Sequence, residues 1–408
     1  MRRALAPLLD LSRTERLVVL AFWVVGVAQG FAQSHAANTL PFTRVTFGLT
    51  EGEMAGVMAL TRIGAFSAIL VSFISDRSGR RNLFVGTLAL MVGAAGATGW
   101  VVDAEQFTIA QGVMRAASTA AGVLAVVMLA ELLPAGSRAI GMGIYAASAS
   151  LGAGLSVLLL PLAEAGPEEW RVLFQYALIG FVAIPVALRW IPEPPKPTGP
   201  RRRYAIWRPL ASPYAAHFWP LAVSSLLFAA FTTTQVTFAS ERLINDLGNP
   251  ASVIVALSLT GGTLGGLGYF IGGHLADTRG RRIVTMVGFA IAAVGGVGLY
   301  WTETLPLLWI SVFLAAFGAF AAAPATSAHR NELFPQQIRA SAVAWLAAFT
   351  VSGTIGGLWV GNWAIDDIGL PMTVLLLGAG MLIAIAVTAA LPETKAHPEF
   401  AEEAPEPA

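Results

Sequence analysis

The stretch FISDRSGRRN, residues 73–82, is a cluster of charged residues between two long apolar runs. A second stretch, HLADTRGRRI at residues 274–283, repeats the pattern Asp-x-x-Gly-Arg-Arg in the other half of the chain. Asp76 and Asp277 are 201 positions apart, and the glycines and arginines that follow them keep the same spacing. This register indicates that the chain contains a duplicated unit.

Two further signatures follow the same register. AELLPAGSRA at 130–139 matches NELFPQQIRA at 331–340, again 201 positions apart, and IPEPPK and LPETK place two glutamates 200 apart. The matched pairs are Glu131 with Glu332, Pro134 with Pro335, Arg138 with Arg339 and Glu193 with Glu393. Because each unit holds an even number of predicted spans, we expect parallel repeats related about an axis along the membrane normal.

The composition indicates a polytopic membrane protein. Of the 408 residues, 56% are hydrophobic and 12% charged, and the mean hydropathy is +0.68, whereas a soluble domain carries roughly a quarter charged residues. No cysteine is present, which excludes disulfides, iron–sulfur clusters and thiol catalysis.

Runs of about 20 apolar residues, the length that spans a bilayer, predict twelve transmembrane helices. Numbered in chain order, they are 17–39, 52–74, 83–102, 107–130, 139–161, 171–191, 218–240, 251–275, 283–301, 307–329, 340–362 and 371–391. The predicted organisation is an all-α membrane protein of two pseudo-symmetric six-helix bundles. Its parts are a cytoplasmic N-terminus (1–16), a first bundle (17–191), a basic linker (192–217), a second bundle (218–394) and a disordered acidic tail (395–408).

The distribution of basic residues predicts the orientation. Of the 25 lysines and arginines, Arg44, Arg171 and Arg242 fall on one set of loops and Arg62 and Arg115 fall within spans, which leaves twenty at or near the opposite face. We therefore expect that face to be cytoplasmic, with both termini inside a plasma membrane. The basic start of the chain is interpreted as part of an uncleaved first helix and not as a secretory signal.

The repeated motif resembles that of the major facilitator superfamily, whose hallmark is G-x-L-x-D-x-x-G-R-R/K. The second copy fits the whole pattern, with Gly273 and Leu275 at its first two fixed positions. The first copy has Ser72 and Ile74 at these two positions. The resemblance extends over residues 17–394 and implies a secondary transporter whose cytoplasmic charges hold its two halves together and release them during transport. The residues implied in this role are Asp76, Gly79, Arg80, Arg81, Glu131, Arg138 and Glu193 in the first half and Asp277, Gly280, Arg281, Arg282, Glu332, Arg339 and Glu393 in the second. In the alternative interpretation, these charges are solvated and only fix the orientation of the chain in the membrane, with basic residues on the cytoplasmic side.

Polar residues are concentrated in four of the predicted spans, the first, fourth, seventh and tenth. Since polar groups in hydrocarbon are costly unless they meet water or a partner, these spans are predicted to border an aqueous cavity, as the superfamily's arrangement also implies. The candidate substrate-binding residues among them are Gln29, Gln33, Gln111, Thr233, Gln235 and Thr326. Hydrogen bonding between packed helices is the alternative for each of them. Spans three, six, nine and twelve hold almost nothing hydrophilic and are predicted to face lipid.

Two arginines stand near the middle of predicted spans. Arg62 lies about ten residues from one end of the second span, which at 1.5 Å per residue is ~15 Å deep, and Arg115 is at a similar depth in the fourth. No Asp or Glu occupies the middle of any predicted span. We therefore predict that an anionic group of the substrate, such as a carboxylate, is their counter-ion. A structural role, in which an arginine binds backbone carbonyls or affects proton coupling, is the alternative.

The function predicted from these features is secondary active transport of a small organic anion by alternating access. The alternatives are a drug or metabolite exporter working by proton antiport and a facilitated uniporter. A proton or sodium ion is the expected coupling ion, and His35 and His329 are the candidate proton-coupling residues, with ordinary hydrogen bonding as the alternative. A membrane sensor and an intramembrane enzyme are disfavoured, the latter because no catalytic or nucleotide-binding motif is found. No cofactor, metal or nucleic acid is expected, and the protein is predicted to be a monomer in the lipid bilayer.

Overall fold

The fold was analysed in a computed structural model that describes residues 11–67, 79–134, 137–194, 207–211 and 213–395. Within these ranges every regular element is helical. Eleven described helices are long and apolar enough to cross a membrane. A further helix, α2, begins at Glu51 and runs to the edge of a described range. These helices match the twelve predicted spans in number and order. Asp76, part of the predicted charge cluster, lies outside the described residues.

The helices of the first repeat are α1 to α6. Their bounds are Arg13–Asn38 for α1, Glu51–Ile63 for α2, Arg80–Ala97 for α3, Ala104–Leu132 for α4, Arg138–Leu158 for α5 and Trp170–Trp190 for α6. A short helix, Leu40–Phe47, follows α1, and a 3₁₀ stretch, Ala177–Val182, interrupts α6.

The helices of the second repeat are α7 to α12. Their bounds are Ala215–Thr237 for α7, Ala251–Arg279 for α8, Arg281–Trp301 for α9, Leu305–Glu332 for α10, Gln336–Ile368 for α11 and Leu370–Ala389 for α12. The helical path of α7 continues through Ala239–Glu241 and a π-helical turn, Arg242–Asp246. The predicted seventh span, which ended at 240, was therefore too short, because its polar C-terminal turns remain helical.

Local sequence explains where several helices begin and end. Ser12 and Glu15 form a reciprocal capping box at the start of α1, and the Asp103 carboxylate accepts a 2.8 Å hydrogen bond from the Gln106 amide at the start of α4. Such caps satisfy backbone donors that a helix leaves unpaired. Gly369 has a φ of +82° between α11 and α12, a conformation that glycine adopts without steric cost.

The chain forms two compact units. One consists of Met1–Leu49, Leu60–Gly199 and Pro250–Ser252, and the other of Thr50–Ala59, Pro200–Asn249 and Val253–Ala408. The units follow the two repeats except at the starts of α2 and α8. The N-terminal part of each of these helices packs with the unit of the other repeat.

The same helix pairs pack in both repeats. In the first, α1 lies along α5 and α3 along α4, and in the second, α7 lies along α11 and α9 along α10. Fully buried aromatic side chains such as Phe22 and Phe84 fill the first core, whereas Ile179 on α6 and Leu382 on α12 are more than two-thirds exposed. Exposed aliphatic side chains on these two helices are what a lipid-facing surface requires.

Candidate functional site

The first Gly-Arg-Arg segment is held by a carboxylate from the end of α6. Gly79 has a φ of +81° and begins α3, and the Glu193 carboxylate accepts hydrogen bonds from the backbone amides of Arg80 at 2.7 Å and Arg81 at 3.1 Å. The guanidinium of Arg80 forms an ion pair with Glu131 at the end of α4. Glu193 therefore caps α3, while Arg80 joins α3 to α4.

The second segment repeats this arrangement. Gly280 has a φ of +116°, and the Glu393 carboxylate accepts hydrogen bonds from the amides of Arg281 at 2.7 Å and Arg282 at 3.0 Å. The Arg281 guanidinium contacts Glu332 at 3.1 Å. It also contacts the Asp277 carboxylate at 3.2 Å. We call the end of each unit that carries these contacts the motif end, and the opposite end the distal end.

The remaining arginines of the two clusters bind backbone carbonyls. Arg138 Nε donates to the Leu133 carbonyl at 3.1 Å, and Arg339 Nε donates to the Phe334 carbonyl at 3.2 Å, so each closes its own loop. Similarly, Arg81 donates to a carbonyl near the end of α6, and Arg282 to carbonyls at the end of α12. The two clusters thus consist of carboxylate caps, ion pairs and carbonyl contacts within one unit each.

A polar network joins α1, α4 and α5 in the first unit. Gln29 Nε2 donates to the Ser118 carbonyl at 2.9 Å, and Gln33 donates to the Ser118 hydroxyl. The Tyr145 hydroxyl donates to Gln29 Oε1. Tyr145 was not among the residues predicted from the sequence, where it stands alone in a run of small residues.

Arg62 and Arg115 lie on adjacent helices, beside this network. The α2 and α4 backbones approach closely next to the two arginines, where a Cβ added to Gly64 would lie 3.2 Å from the Ala116 Cβ. The Ser67 hydroxyl bridges the helices by donating to the Ala116 carbonyl at 2.7 Å. Ser118 follows Arg115 by three residues, which puts the network and this cation within one turn of α4.

The surroundings of Arg115 hold no carboxylate partner within the described ranges. Its Nε is buried and has no hydrogen-bond partner among those residues, and none of the ion pairs found there includes it. A buried cation is costly without a compensating charge.

The other predicted binding residues, in both units, make separate contacts and do not form one network. Gln111 is 1% exposed and donates to Thr98 Oγ1 at 2.8 Å, so its side chain contacts the end of α3. In the second unit, the Gln235 carbonyl accepts a 2.6 Å bond from Tyr300, and Thr326 donates to its own helix at 2.8 Å. Thr233 is half-buried on α7. The role of these residues in binding stays a prediction.

The two candidate histidines occupy packed positions. His35 is fully buried, with Nδ1 2.9 Å from the Ser156 hydroxyl and its ring 4.4 Å from that of Phe31, centroid to centroid. His329 Nε2 lies 2.9 Å from the Pro392 carbonyl. Their role in proton coupling stays a prediction.

Two charged residues of the second unit were missed at the sequence level. Arg330, near the end of α10, reaches α7 and donates to the Ser225 hydroxyl at 2.6 Å. Glu241 is 0% exposed, and its Oε1 accepts a 2.7 Å bond from Asn245 Nδ2. The sequence pattern placed both just beyond the predicted spans, whereas the helices continue past them.

The described helices, with a capped and charged segment repeated in each half, match the arrangement predicted for a membrane transporter. The sequence profile of the Major Facilitator Superfamily matches residues 22–261 and 221–408. The chain belongs to this family.

Solved structures share the fold. A bacterial homologue of the human lysosomal transporter Spinster, in an inward-facing and occupied conformation, superimposes with a TM-score of 0.76 at 16% identity over 93% of this chain and 97% of that one. A D-xylose–proton symporter gives a TM-score of 0.75 at 18% identity, over 93% and 98% of the two chains.

Similar proteins carry different transport names. The gallate transporter of Pseudomonas putida is 22% identical over 89% of this chain and 88% of its own length. The putative niacin/nicotinamide transporter NiaP of Bacillus subtilis is 24% identical over 84% and 87%. The multidrug resistance protein MdtH of Aeromonas hydrophila is 29% identical over 171 residues, and the match spans 42% of that protein.

Proposed function

We propose that the protein is a secondary transporter that moves a small organic anion by alternating access. The observation that carries the proposal is the pair Arg62 and Arg115 on packed helices, with the buried Nε of Arg115 unbonded within the described residues. A substrate carboxylate would accept charge-assisted hydrogen bonds from a guanidinium, which are among the stronger hydrogen bonds in proteins. It would also reduce the repulsion between the two cations.

The amides and hydroxyls beside the arginines would orient the rest of the solute. Gln29 is fixed by Ser118 and Tyr145, and Gln33 shares the same serine. Two of the similar proteins are named for gallate and for niacin, each a small aromatic ring with a carboxylate. An aromatic monocarboxylate of this size is therefore the first solute class to test.

In this proposal the motif end is cytoplasmic and the protein is a monomer in the plasma membrane. The support is the asymmetry of basic residues, because arginines and lysines accumulate on the cytoplasmic side of membrane proteins. Uptake would be driven by a proton or sodium gradient. Export by antiport and uniport are distinguished from it by the direction and the ion dependence of flux.

Binding to purified protein tests the anion site directly. Nicotinate and nicotinamide form a matched pair of ligands, because they share a ring and differ in the charge of one substituent. Gallate is a second monocarboxylate ligand with a different ring. We expect the wild-type protein to bind a carboxylate ligand and to discriminate against the amide. Arg115→Gln should weaken carboxylate binding by about tenfold or more, the value of one charge-assisted hydrogen bond.

Arg13→Gln is the control, since Arg13 is exposed at the start of α1. Its affinity for the carboxylate should equal that of the wild type. Unchanged affinity in both Arg62→Gln and Arg115→Gln would eliminate the anion site. Sided flux into proteoliposomes, with imposed proton, sodium or potential gradients, then identifies the coupling ion and the direction.

A further inference from the structure

Arg330 reaches from the end of α10 toward α7 in the second unit. It lies two residues before Glu332, the last residue of α10, and donates a 2.6 Å hydrogen bond to the Ser225 hydroxyl in the first half of α7. Its Nε is buried and has no hydrogen-bond partner within the described ranges, and none of the ion pairs found there includes Arg330. The described part of the chain thus gives this guanidinium one neutral partner and no carboxylate.

The two glutamates at the motif end of this unit serve other groups. Glu332 contacts the Arg281 guanidinium at 3.1 Å and accepts a hydrogen bond from the Thr394 hydroxyl. Glu393 caps α9. Residues two apart on a helix do not face each other, which separates the Glu332 carboxylate from Arg330 although both residues lie in the last turn of α10. Neither glutamate therefore serves as the counter-ion of Arg330.

The first repeat has no cation at the corresponding position. In the register of 201 positions, Arg330 corresponds to Leu129, which is 0% exposed in the core of the first unit. Leucine fills this position of a six-helix unit without the cost of burying a charge. The fold therefore does not require an arginine there. An ionisable residue that stands inside a membrane span without being required by the fold indicates a binding function.

Ser225 fixes the guanidinium and leaves its other donors for a ligand. Ser225 is 3% exposed, and its hydroxyl donates to the Leu221 carbonyl of its own helix. Since a hydroxyl has one proton, Ser225 acts toward Arg330 as an acceptor. A guanidinium carries five N–H donors in a planar fork that matches two oxygens of a carboxylate or a phosphate. One donor of Arg330 is bonded to Ser225, and Nε is among those that remain.

We infer that Arg330 is the centre of a second anion site, which lies in the second unit and binds the oxygens of a carboxylate or phosphate group. Ser225 is its positioning residue. Dissolved anions and the phosphate of a lipid headgroup share this chemistry, and the experiment below separates the two sources. The inference goes beyond the proposed function, because Arg62 and Arg115 belong to the first unit and the site at Arg330 does not depend on what they bind.

Thermal unfolding in a neutral detergent tests the site with inorganic phosphate and with acetate, each compared with chloride at the same ionic strength. We expect a saturable rise of the wild-type melting temperature with an oxyanion. Arg330→Leu, which restores the residue type of the first repeat, should abolish this rise. Arg330→Lys keeps the charge but not the fork, and should raise the half-saturating concentration by about tenfold, the value of one charge-assisted hydrogen bond.

Two controls separate this site from other cations. Arg279→Leu removes an exposed arginine at the end of α8 and should keep the wild-type response. Arg115→Gln should also keep it, which distinguishes a failure of the first anion site from a failure of this one. If Arg115→Gln alone abolishes the response to oxyanions, or if Arg279→Leu reduces it as much as Arg330→Leu does, the site at Arg330 is refuted.

Nanodiscs distinguish a lipid ligand from a dissolved one. If the phosphate belongs to a lipid, the wild-type melting temperature should rise with the fraction of phosphatidylglycerol in phosphatidylcholine nanodiscs, and this rise should be absent in Arg330→Leu. A dissolved ligand predicts the rise with phosphate or acetate and the same lipid dependence in both proteins. If phosphate, acetate and phosphatidylglycerol all stabilise Arg330→Leu as much as the wild type, no oxyanion binds at Arg330 and the inference is overturned.

Discussion

Glu393 caps the helix that begins at Arg281, and its carboxylate oxygen lies 2.7 Å from the Arg281 amide nitrogen. The contact requires Gly280, whose φ is +116° and whose missing side chain leaves space for the carboxylate. The shared order of glycine, arginine and distant glutamate in both repeats thus has one physical cause. A tight turn presents two backbone amides to a carboxylate that arrives from the last helix of the same repeat.

Gly280→Ala should destabilise the protein by roughly 1–3 kcal/mol from the backbone conformation alone, and by about 1 kcal/mol more because the displaced Glu393 no longer caps α9. Thermal unfolding in detergent, followed by intrinsic fluorescence, measures the change. Gly356→Ala on α11 is the matched control, since a Cβ there meets open space and alanine favours a helix. Equal melting temperatures for the two variants would show that the turn carries no such strain.

Sequence analysis predicted the twelve helices and the two charge clusters because both depend on local composition and on a fixed spacing. Arg281 and Glu332, for example, were assigned to one cluster from the repeat, and they form an ion pair. The hydrogen bond from the Gly52 amide to Asp366 was not predicted, because nothing in the sequence states which helix start Asp366 meets. That pairing depends on how distant helices pack.

Burial was also harder to predict than helix position. Glu241 was placed outside the seventh span because polar residues follow it, yet it is fully buried where α7 continues as a π-helical turn. Gln111, predicted to border a cavity, is 1% exposed and donates to Thr98 at the end of α3, a contact that the sequence pattern did not indicate. Helical periodicity gives the face of a residue and leaves open whether that face meets water, lipid or another helix.

Arg115→Met should separate stability from binding. The substitution removes a buried cation that costs roughly 2.5–3.5 kcal/mol at a helix centre. We therefore expect the solute-free melting temperature to rise or stay constant, while the increase caused by a bound carboxylate disappears. A clear fall in the solute-free melting temperature would instead assign Arg115 a structural role.

Tyr145→Phe should loosen the polar network of the first unit. The hydroxyl donates to Gln29 Oε1, and removing it leaves a buried acceptor unsatisfied, at a cost of about 1–3 kcal/mol. Thermal unfolding measures the cost, and binding of the carboxylate ligands measures any effect on the site. Tyr176→Phe, at a residue that is 39% exposed on α6, should change neither quantity. An unaltered melting temperature in Tyr145→Phe would mean that the network does not contribute to stability.

Asp277→Lys should strongly impair transport while leaving membrane insertion intact. Asp277 contacts Arg281 at 3.2 Å, and its side chain is 75% exposed, so little folding energy depends on the pair. A lysine there repels Arg281, which also binds Glu332 and lies in the turn that Glu393 caps. Glu303→Lys reverses a charge at an exposed residue of the distal end and controls for net charge. Sided flux in proteoliposomes, normalised to inserted protein, measures the effect, and wild-type flux in Asp277→Lys would show that the charge cluster does not take part in transport.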